Sequence, residues 1–358
     1  MPPSKAPPGV GPWFGGPIWL LVDSSGIGGI ERHIGNLAHG LAGRGLPAEV
    51  VLLAEHPGNT WIEQLAARGS PVRMLDGSFA GLVASLRRCQ PRLLHTHGYK
   101  AGILGRIAAR LTRIPVVSTF HSGEPVGWRV RLYRQADEWS AFLAQRIAVS
   151  STVQSRLPYC SNLIPSFGAA GSKPPADELP RRVGFVGRLS EEKRPDAFCE
   201  IAKSAEPGLE WHIYGDGPLR GDLERNFSDA VQFHGMVTGM EAVWPTLGLL
   251  LMPSRFEALP LAGLEALAAG VPILASRVGD MADLVVEGKT GWLFDPDDLG
   301  TAQRRINQWR RLSRAEQAGL REACWARFQA GFSEEAALPK IIEVYAASGA
   351  DLPTAGMQ

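Results

Sequence analysis

Short apolar runs alternate with amphipathic helical stretches twice along this chain, and a proline-rich break separates the two sets. In the first set, Pro17–Asp23 (P-I-W-L-L-V-D) has the composition of a strand buried on both faces. A glycine-rich turn, Ser24–Gly29, leads into a helix over Ile30–Arg44 with Ile34, Leu37, Ala38 and Leu41 on one face, and Ala48–Leu53 is the next strand. Helical stretches over Trp61–Arg68, Gly81–Cys89, Lys100–Leu111 and Arg129–Leu143 separate strands at Val72–Leu75, Arg92–His97, Pro115–Phe120 and Arg146–Ser150. Periodicity fails over Pro165–Pro180, which is rich in Pro, Gly and Ala. It resumes with strands at Arg182–Val186, Leu209–Tyr214, Val231–His234, Leu249–Met252 and Val271–Ser276. Helices over Asp297–Arg311, Ser313–Gln329 and Ser333–Ala347 close the chain. Such alternation builds parallel sheets with helices on both faces. The pattern predicts an α/β fold of two doubly wound, Rossmann-like domains facing a cleft. They occupy residues 17–165 and 182–331, with a linker at 166–181 and disordered tails at 1–16 and 349–358.

Composition removes several classes. A net charge of +1 with 45% apolar residues describes a soluble globular protein, not a nucleic-acid binder. No apolar run approaches the roughly 18–20 residues that span a bilayer, so membrane contact is expected only at the surface. The four cysteines form no C-x-x-C and no metal spacing, and residues 1–16 lack the apolar core of a signal peptide. A cytoplasmic protein with reduced thiols is the expectation. From Lys100 to Arg134 the charge is uneven: Lys100, Arg106, Arg110, Arg113, Arg129, Arg131 and Arg134 stand against Glu124 alone. Apolar residues including Ile107, Leu111, Trp128, Leu132 and Tyr133 interleave with them. The segment fits a surface lying on an anionic membrane, but a sheet-packing helix with a solvated basic face is the preferred reading.

The unit from Leu249 to Phe294 carries the first chemical signal. A buried-type strand stops at Pro253, a loop holds Glu257, Pro260 suits a helix start, Glu265 lies inside the helix, and Gly270 suits its end. Eight residues of helix span roughly 12 Å, whereas two carboxyls sharing a reacting atom in a retaining glycosidase stand about 5–5.5 Å apart. The spacing suits two grips on a long hydroxyl-rich ligand, with a helix N-terminus between them as an anion site. A nucleotide-sugar has that layout; two solvated glutamates beside an ordinary helix is the plain alternative. Ser24–Gly29 sits where a βαβ unit holds a phosphate but lacks a dinucleotide or P-loop spacing, so a tight turn explains it equally well. His95, His97 and His121 fall at strand C-terminal ends, the rim where ligands sit in such sheets. The pair His95-x-His97 suggests a metal, but no third ligand stands near it in the sequence, and no metal site is expected.

From Val183 the residues become specific. V-G-F-V-G-R-L-S-E-E-K-R-P resembles the G-R-L-x-x-x-K segment of the GT-B glycosyltransferases of family 4. The resemblance continues through Y-G-D-G-P-L-R, F-H-G-M-V, S-R-F-E-A-L-P-L-A-G-L-E-A-L-A-A-G-V-P-I-L-A-S and E-G-K-T-G-W-L-F, and in the first half through G-I-G-G-I-E-R and F-H-S-G. It implies retaining, metal-independent transfer of a sugar from a nucleotide diphosphate donor to a hydroxyl acceptor, with no cofactor beyond that co-substrate. Arg188 and Lys193 would hold the diphosphate, Glu257 the sugar hydroxyls and Glu265 the ribose diol. Gly28 and Gly29 would let backbone approach the phosphates, and Ala258, Leu259, Pro260 and Leu261 would line the donor site. His121 would stand by the sugar and acceptor, and Met236 and Val237 near the base; Asp216 and Gly217 read as turn chemistry. Residues 332–348 would cross back onto the first domain. Family members usually carry glycine where this chain has Ala258, and the family's I-P-N segment reads I-P-S here with Ser166. The acceptor classes implied include polysaccharide precursors and lipid-linked sugars at the inner face of a membrane. A sugar-nucleotide epimerase of the same fold and a non-catalytic nucleotide-sugar binding subunit are the alternatives.

Overall fold

Strands whose residues are all apolar need cover on both faces, and the central strands here have it. The computed structural model describes residues 16–121, 128–168, 172–175 and 177–352. The expected tail up to residue 15, Glu124 and the Ser-Gly of F-H-S-G, linker positions 169–171 and 176, and residues 353–358 lie outside the described residues, as do the side chains of Trp128 and Arg129. The first sheet contains β1 (Ile18–Val22), β2 (Ala48–Leu52), β3 (Val72–Met74), β4 (Leu93–His97), β5 (Val116–Phe120), β6 (Gln145–Ala148) and β7 (Asn162–Leu163). Their order is β3-β2-β1-β4-β5-β6-β7, all parallel. The second contains β8 (Arg182–Val186), β9 (Glu210–Tyr214), β10 (Gln232–Phe233), β11 (Leu249–Met252), β12 (Ile273–Ser276) and β13 (Gly291–Phe294). Their order is β10-β9-β8-β11-β12-β13, again parallel. The edge strand β7 is too short for periodicity to announce it.

Both orders reverse direction at a central pair, β1/β4 and β8/β11. Connections there leave to opposite sides and open a crevice at the strands' C-terminal ends. Register then decides what reaches the rim: Val22 stands level with His97, and His97 with Thr119. The glycine-rich turn, His97 and His121 are thereby delivered to one edge.

The helix Glu334–Ala347 packs on the first domain. Ser333 caps it and bridges to Gly168, Glu334 pairs with Arg44 at 2.9 Å, and Leu338, Ile341 and Tyr345 join the core that holds Ile34, Leu37 and Leu41. Gly16 and Asp351, at the inner edges of the expected tails, are among the described residues. Arg92 donates from Nε to the Gly16 carbonyl (2.8 Å) and from Nη1 to the Asp351 carbonyl (3.2 Å), which docks both ends against β4. The helix expected over Arg129–Leu143 is Trp128–Trp139 followed by a 3₁₀ turn, Ser140–Leu143. Ser140 Oγ donates back to the Ala136 carbonyl at 2.6 Å, a local bond that competes with helix continuation.

The basic residues of segment 100–134 divide between the interior, ion pairs and the surface. Arg106 is fully buried, donating to both the side chain and the carbonyl of Asp137 and to Ser118 and Ser140. Burial pulls Arg106 down from its ordinary range and pushes Asp137 up to about 6, the charge of each partner opposing the shift. Lys100 pairs with Asp23 at 2.9 Å and Arg134 with Glu138 at 3.6 Å. Arg110, Arg113 and Arg131 remain exposed.

Candidate active site

Glu257 reaches the cleft on the loop between β11 and the helix Leu261–Ala268, with Pro260 as that helix's N-cap. Its side chain is buried, and Lys193 Nζ lies 2.7 Å from both carboxylate oxygens while Ser254 Oγ donates to Oε1 at 2.8 Å. A cation and a carboxylate taken from water together are compensated; either alone is costly. Gly279 holds the loop from behind: at φ +51 it passes so close that a Cβ there would stand 1.7 Å from the Glu257 carbonyl. Its neighbour Asp280 donates its N–H to the Ala258 carbonyl at 3.3 Å. The methyl of Ala258 asks nothing unusual of the backbone, since Gln90, Arg113 and Arg194 are the described non-glycine residues with positive φ.

Glu265, inside the helix Leu261–Ala268, has different partners. Arg32 Nη1 of the first domain reaches Oε1 at 2.7 Å, and Trp244 Nε1 donates to Oε2 at 3.2 Å. Burial raises its carboxyl pKa, against the pull of both bonds. The two glutamates thus answer to separate cations and do not form a pair. Gly29 faces the same helix start: a side-chain carbon at that position would touch Leu261 at 4.0 Å. Leu259, Leu261 and Val237 pack on one core cluster, while Met236 stands 71% exposed beyond them. Gly28 is exposed at the N-cap of the helix Gly29–Gly43.

Arg188 follows β8 and is exposed. Its charge is felt at Glu192: burial raises that carboxyl, but the Ser190 hydroxyl, the glutamate's own N–H, Lys193 and Arg188 together bring it below its ordinary value. The structure therefore gathers Lys193, Glu257, Leu259, Leu261 and Gly29 around one helix N-terminus, and the Arg188 side chain has no hydrogen-bond or ion-pair partner among the described residues. His121 joins a different group, in the first domain.

That group is a histidine cluster. His97 Nδ1 and His121 Nε2 are 3.0 Å apart, and the His33 ring meets His121 edge-on with centroids 4.8 Å apart. Burial pushes His33 down to about 4 and holds His97 and His121 well below the usual imidazole range, so all three are neutral at pH 7. His95 is spent elsewhere, on Tyr345 and Thr119 at 2.7 Å each. No third ligand stands near His95 and His97 in the sequence; in the structure the helix Gly29–Gly43 carries His33 across to His97, ring centroids 5.7 Å apart. His33 shares the helix face of Ile34, Leu37 and Leu41, the one signal that pointed inward. Sequence reasoning also missed Asp280, whose Oδ1 accepts from Ser151 Oγ (2.6 Å), Thr152 N (3.1 Å) and Thr152 Oγ1 (3.0 Å) and ties the domains together. Nothing local to V-G-D-M marks it.

The chain is similar to known proteins over most of its length. Residues 27–158 match the family described as Glycosyltransferase Family 4, and residues 180–309 match Glycosyl transferases group 1. The chain is 26% identical over 254 residues to sulfoquinovosyl transferase SQD2 of Arabidopsis thaliana, covering 61% of this chain and 49% of that protein. It is 27% identical over 259 residues to the UDP-Gal:alpha-D-GlcNAc-diphosphoundecaprenol alpha-1,3-galactosyltransferase of Escherichia coli, covering 62% and 67%. The chain thus spans about half the length of the first relative and two thirds of the second. Among solved structures, Anabaena HepE in complex with UDP and glucose superposes with a TM-score of 0.79 at 18% identity, over 93% of this chain and all of that one. Sucrose-phosphate synthase from Thermosynechococcus elongatus does so with 0.76 at 18%, over 93% and 98%. The chain belongs to the family 4 glycosyltransferases and has their two-domain GT-B architecture.

Proposed function

We propose that this chain transfers a sugar from a nucleotide diphosphate-sugar to a hydroxyl acceptor, with retention at the anomeric carbon and no metal ion in the reaction. The observation that carries this is Lys193 Nζ held 2.7 Å from both oxygens of buried Glu257 beside the start of the helix Leu261–Ala268. Cation, acceptor carboxylate and helix N–H groups then line one small region, as a diphosphate bonded to a sugar requires. In the reaction the bond from the anomeric carbon to the diphosphate oxygen breaks, and the acceptor oxygen bonds to that carbon on the same face. The acceptor's proton passes to the departing diphosphate, and a nucleoside diphosphate and a glycoside leave. Charge grows on the diphosphate as the bond breaks, so Arg188 and Lys193 stabilise the transition state more than the bound donor. Glu257, already neutralised by Lys193, serves as a hydrogen-bond acceptor for sugar hydroxyls and not as a base. The ordinary backbone at Ala258 favours a working enzyme over a binding subunit.

The direct test is Arg188→Ala, assayed across UDP- and GDP-sugars with polyprenyl-linked and soluble acceptors. Arg188 is exposed and its side chain has no hydrogen bond or ion pair among the described residues, so the melting temperature should hold while turnover falls about 10²–10³-fold. Undiminished transfer would remove Arg188 from the phosphate site. An epimer formed from donor alone would select the epimerase reading instead.

One surface favours a peripheral membrane location for that reaction. Leu111, Leu132, Tyr133, Trp139 and Phe142 are all more than half exposed, with Arg110, Arg113 and Arg131 among them. A cavity of about 570 Å³ beside them is lined in part by Arg110, Arg113, Phe142 and Arg146. Among the described residues no helix is long and apolar enough to cross a membrane. Aromatic and basic residues side by side suit an anionic lipid interface.

A further inference from the structure

Three histidines from separate elements meet one turn into the helix that follows the glycine-rich turn. His33 lies in the helix Gly29–Gly43, His97 ends β4, and His121 follows β5. Both ring nitrogens of His33, and Nε2 of His97, are buried with no hydrogen-bond partner among the described residues. Leaving one buried polar atom unsatisfied costs about 1–3 kcal/mol, so three together are poorly explained by packing alone. Neighbouring His95 shows the contrast, with both nitrogens engaged by Tyr345 and Thr119.

One nitrogen from each of His33, His97 and His121 lies within 4.8 Å of one from each of the others. Ligands bound to a tetrahedral Zn²⁺ at about 2.0–2.1 Å stand roughly 3.3–3.4 Å apart. Binding would draw the ring nitrogens together by up to about 1.4 Å, and His121 is the least buried of the three. Imidazole suits Zn²⁺ and its first-row neighbours, and three ring nitrogens leave one coordination position for water. We propose that His33, His97 and His121 bind one Zn²⁺-class ion, and that the bound ion ties up His121, which the family resemblance sets beside the sugar and acceptor, and so inhibits transfer. The ion takes no part in the chemistry. The inhibitory half rests on the sugar-transfer reading; the binding half does not.

The test uses EDTA-treated, dialysed full-length protein without nucleotide, because a diphosphate itself chelates Zn²⁺. Calorimetry with ZnCl₂ should give one equivalent per chain, and Co²⁺ should give the intense visible absorption of a four-coordinate ion. His33→Gln and His97→Gln should each weaken binding at least tenfold. Zn²⁺ should inhibit the wild type, and His33→Gln should shift the inhibiting concentration by the same factor, each protein being compared with its own metal-free rate. Absence of stoichiometric binding, or wild-type affinity in His33→Gln, overturns the site; the second result would place the ion elsewhere, as at exposed Cys160. Binding without inhibition overturns the regulatory half. If the variants fail to fold, the wild-type cobalt spectrum decides, a weak six-coordinate spectrum counting against the site. Zn²⁺ binding in a protein that transfers no sugar would sink the functional reading and leave the site standing.

Discussion

Arg32 Nη1, on the first helix of the first domain, lies 2.7 Å from Oε1 of Glu265 on the helix Leu261–Ala268 of the second. A bridge across the cleft therefore ends on the carboxylate that the family resemblance sets at the ribose. Both side chains are partly open to solvent, 45% and 29%, so the bridge itself contributes at most about 1 kcal/mol. A ribose diol donating to the other carboxylate oxygen needs only to compete with Trp244. Glu265→Gln should weaken binding of a nucleoside diphosphate about 10–100-fold, the loss of a hydrogen bond to a charged group, and leave inorganic pyrophosphate binding unchanged. Equal losses for both ligands in calorimetry would move Glu265 off the ribose.

Gly279 braces the loop of Glu257 through a contact only glycine permits. With φ +51 and a Cβ position 1.7 Å from the Glu257 carbonyl, Gly279→Ala must shift one of the two backbones. Backbone strain of this kind costs about 1–3 kcal/mol. Transfer should fall at least tenfold while urea unfolding loses no more than that range. A rate within twofold of wild type would mean that the loop position does not matter to the reaction.

The buried pair of Arg106 and Asp137, 2.6 Å apart, makes a stability prediction. Asp137→Ala strands a guanidinium in the core and should cost about 3–5 kcal/mol in urea unfolding. Replacing both, with Arg106→Met and Asp137→Leu, should recover most of that loss. Failure of the double variant to recover would show that Arg106 has a role beyond the pair.

Removing metal should leave the reaction alone. EDTA is expected to change the transfer rate less than twofold, or to raise it where Zn²⁺ was carried through purification. A strict need for Mg²⁺ or Mn²⁺ would overturn the assignment of the diphosphate to Arg188 and Lys193.

Lipid binding should follow the three exposed arginines. Each basic residue at an anionic surface contributes about 1 kcal/mol, so replacing Arg110, Arg113 and Arg131 by serine should lower partitioning onto phosphatidylserine vesicles about 150-fold. Trp139→Ser with Phe142→Ser should lower it independently of salt. Sedimentation with vesicles that none of these changes alters would assign the patch to another partner.

The two sheets were legible because each strand announces itself locally. I-W-L-L-V, V-V-S-T-F and L-L-L-M must be covered on both faces, and the helices between them carry one apolar stripe each. The sites of Glu257 and Glu265 were legible for a similar reason, since loop, Pro260 and helix follow one another in the chain. Less was visible where partners lie far apart in sequence. The unevenly charged segment from Lys100 to Arg134 reads as a surface until Asp137 and Ser140 fold back over Arg106, 31 and 34 residues away.

What the sequence by itself determined is therefore the order of elements and the residue types at their ends: two parallel sheets, a glycine turn, a cationic loop and two separated glutamates. Tertiary structure alone decided the pairings. Lys193 meets Glu257 across 64 residues, Arg32 meets Glu265 across 233, and Asp280 meets Thr152 across 128. His33 joins His97 and His121 because register places β1, β4 and β5 level at one rim and the first helix crosses above it. Local periodicity fixes which face of an element is buried, but which distant group that face meets depends on how strands are ordered and aligned in the sheet.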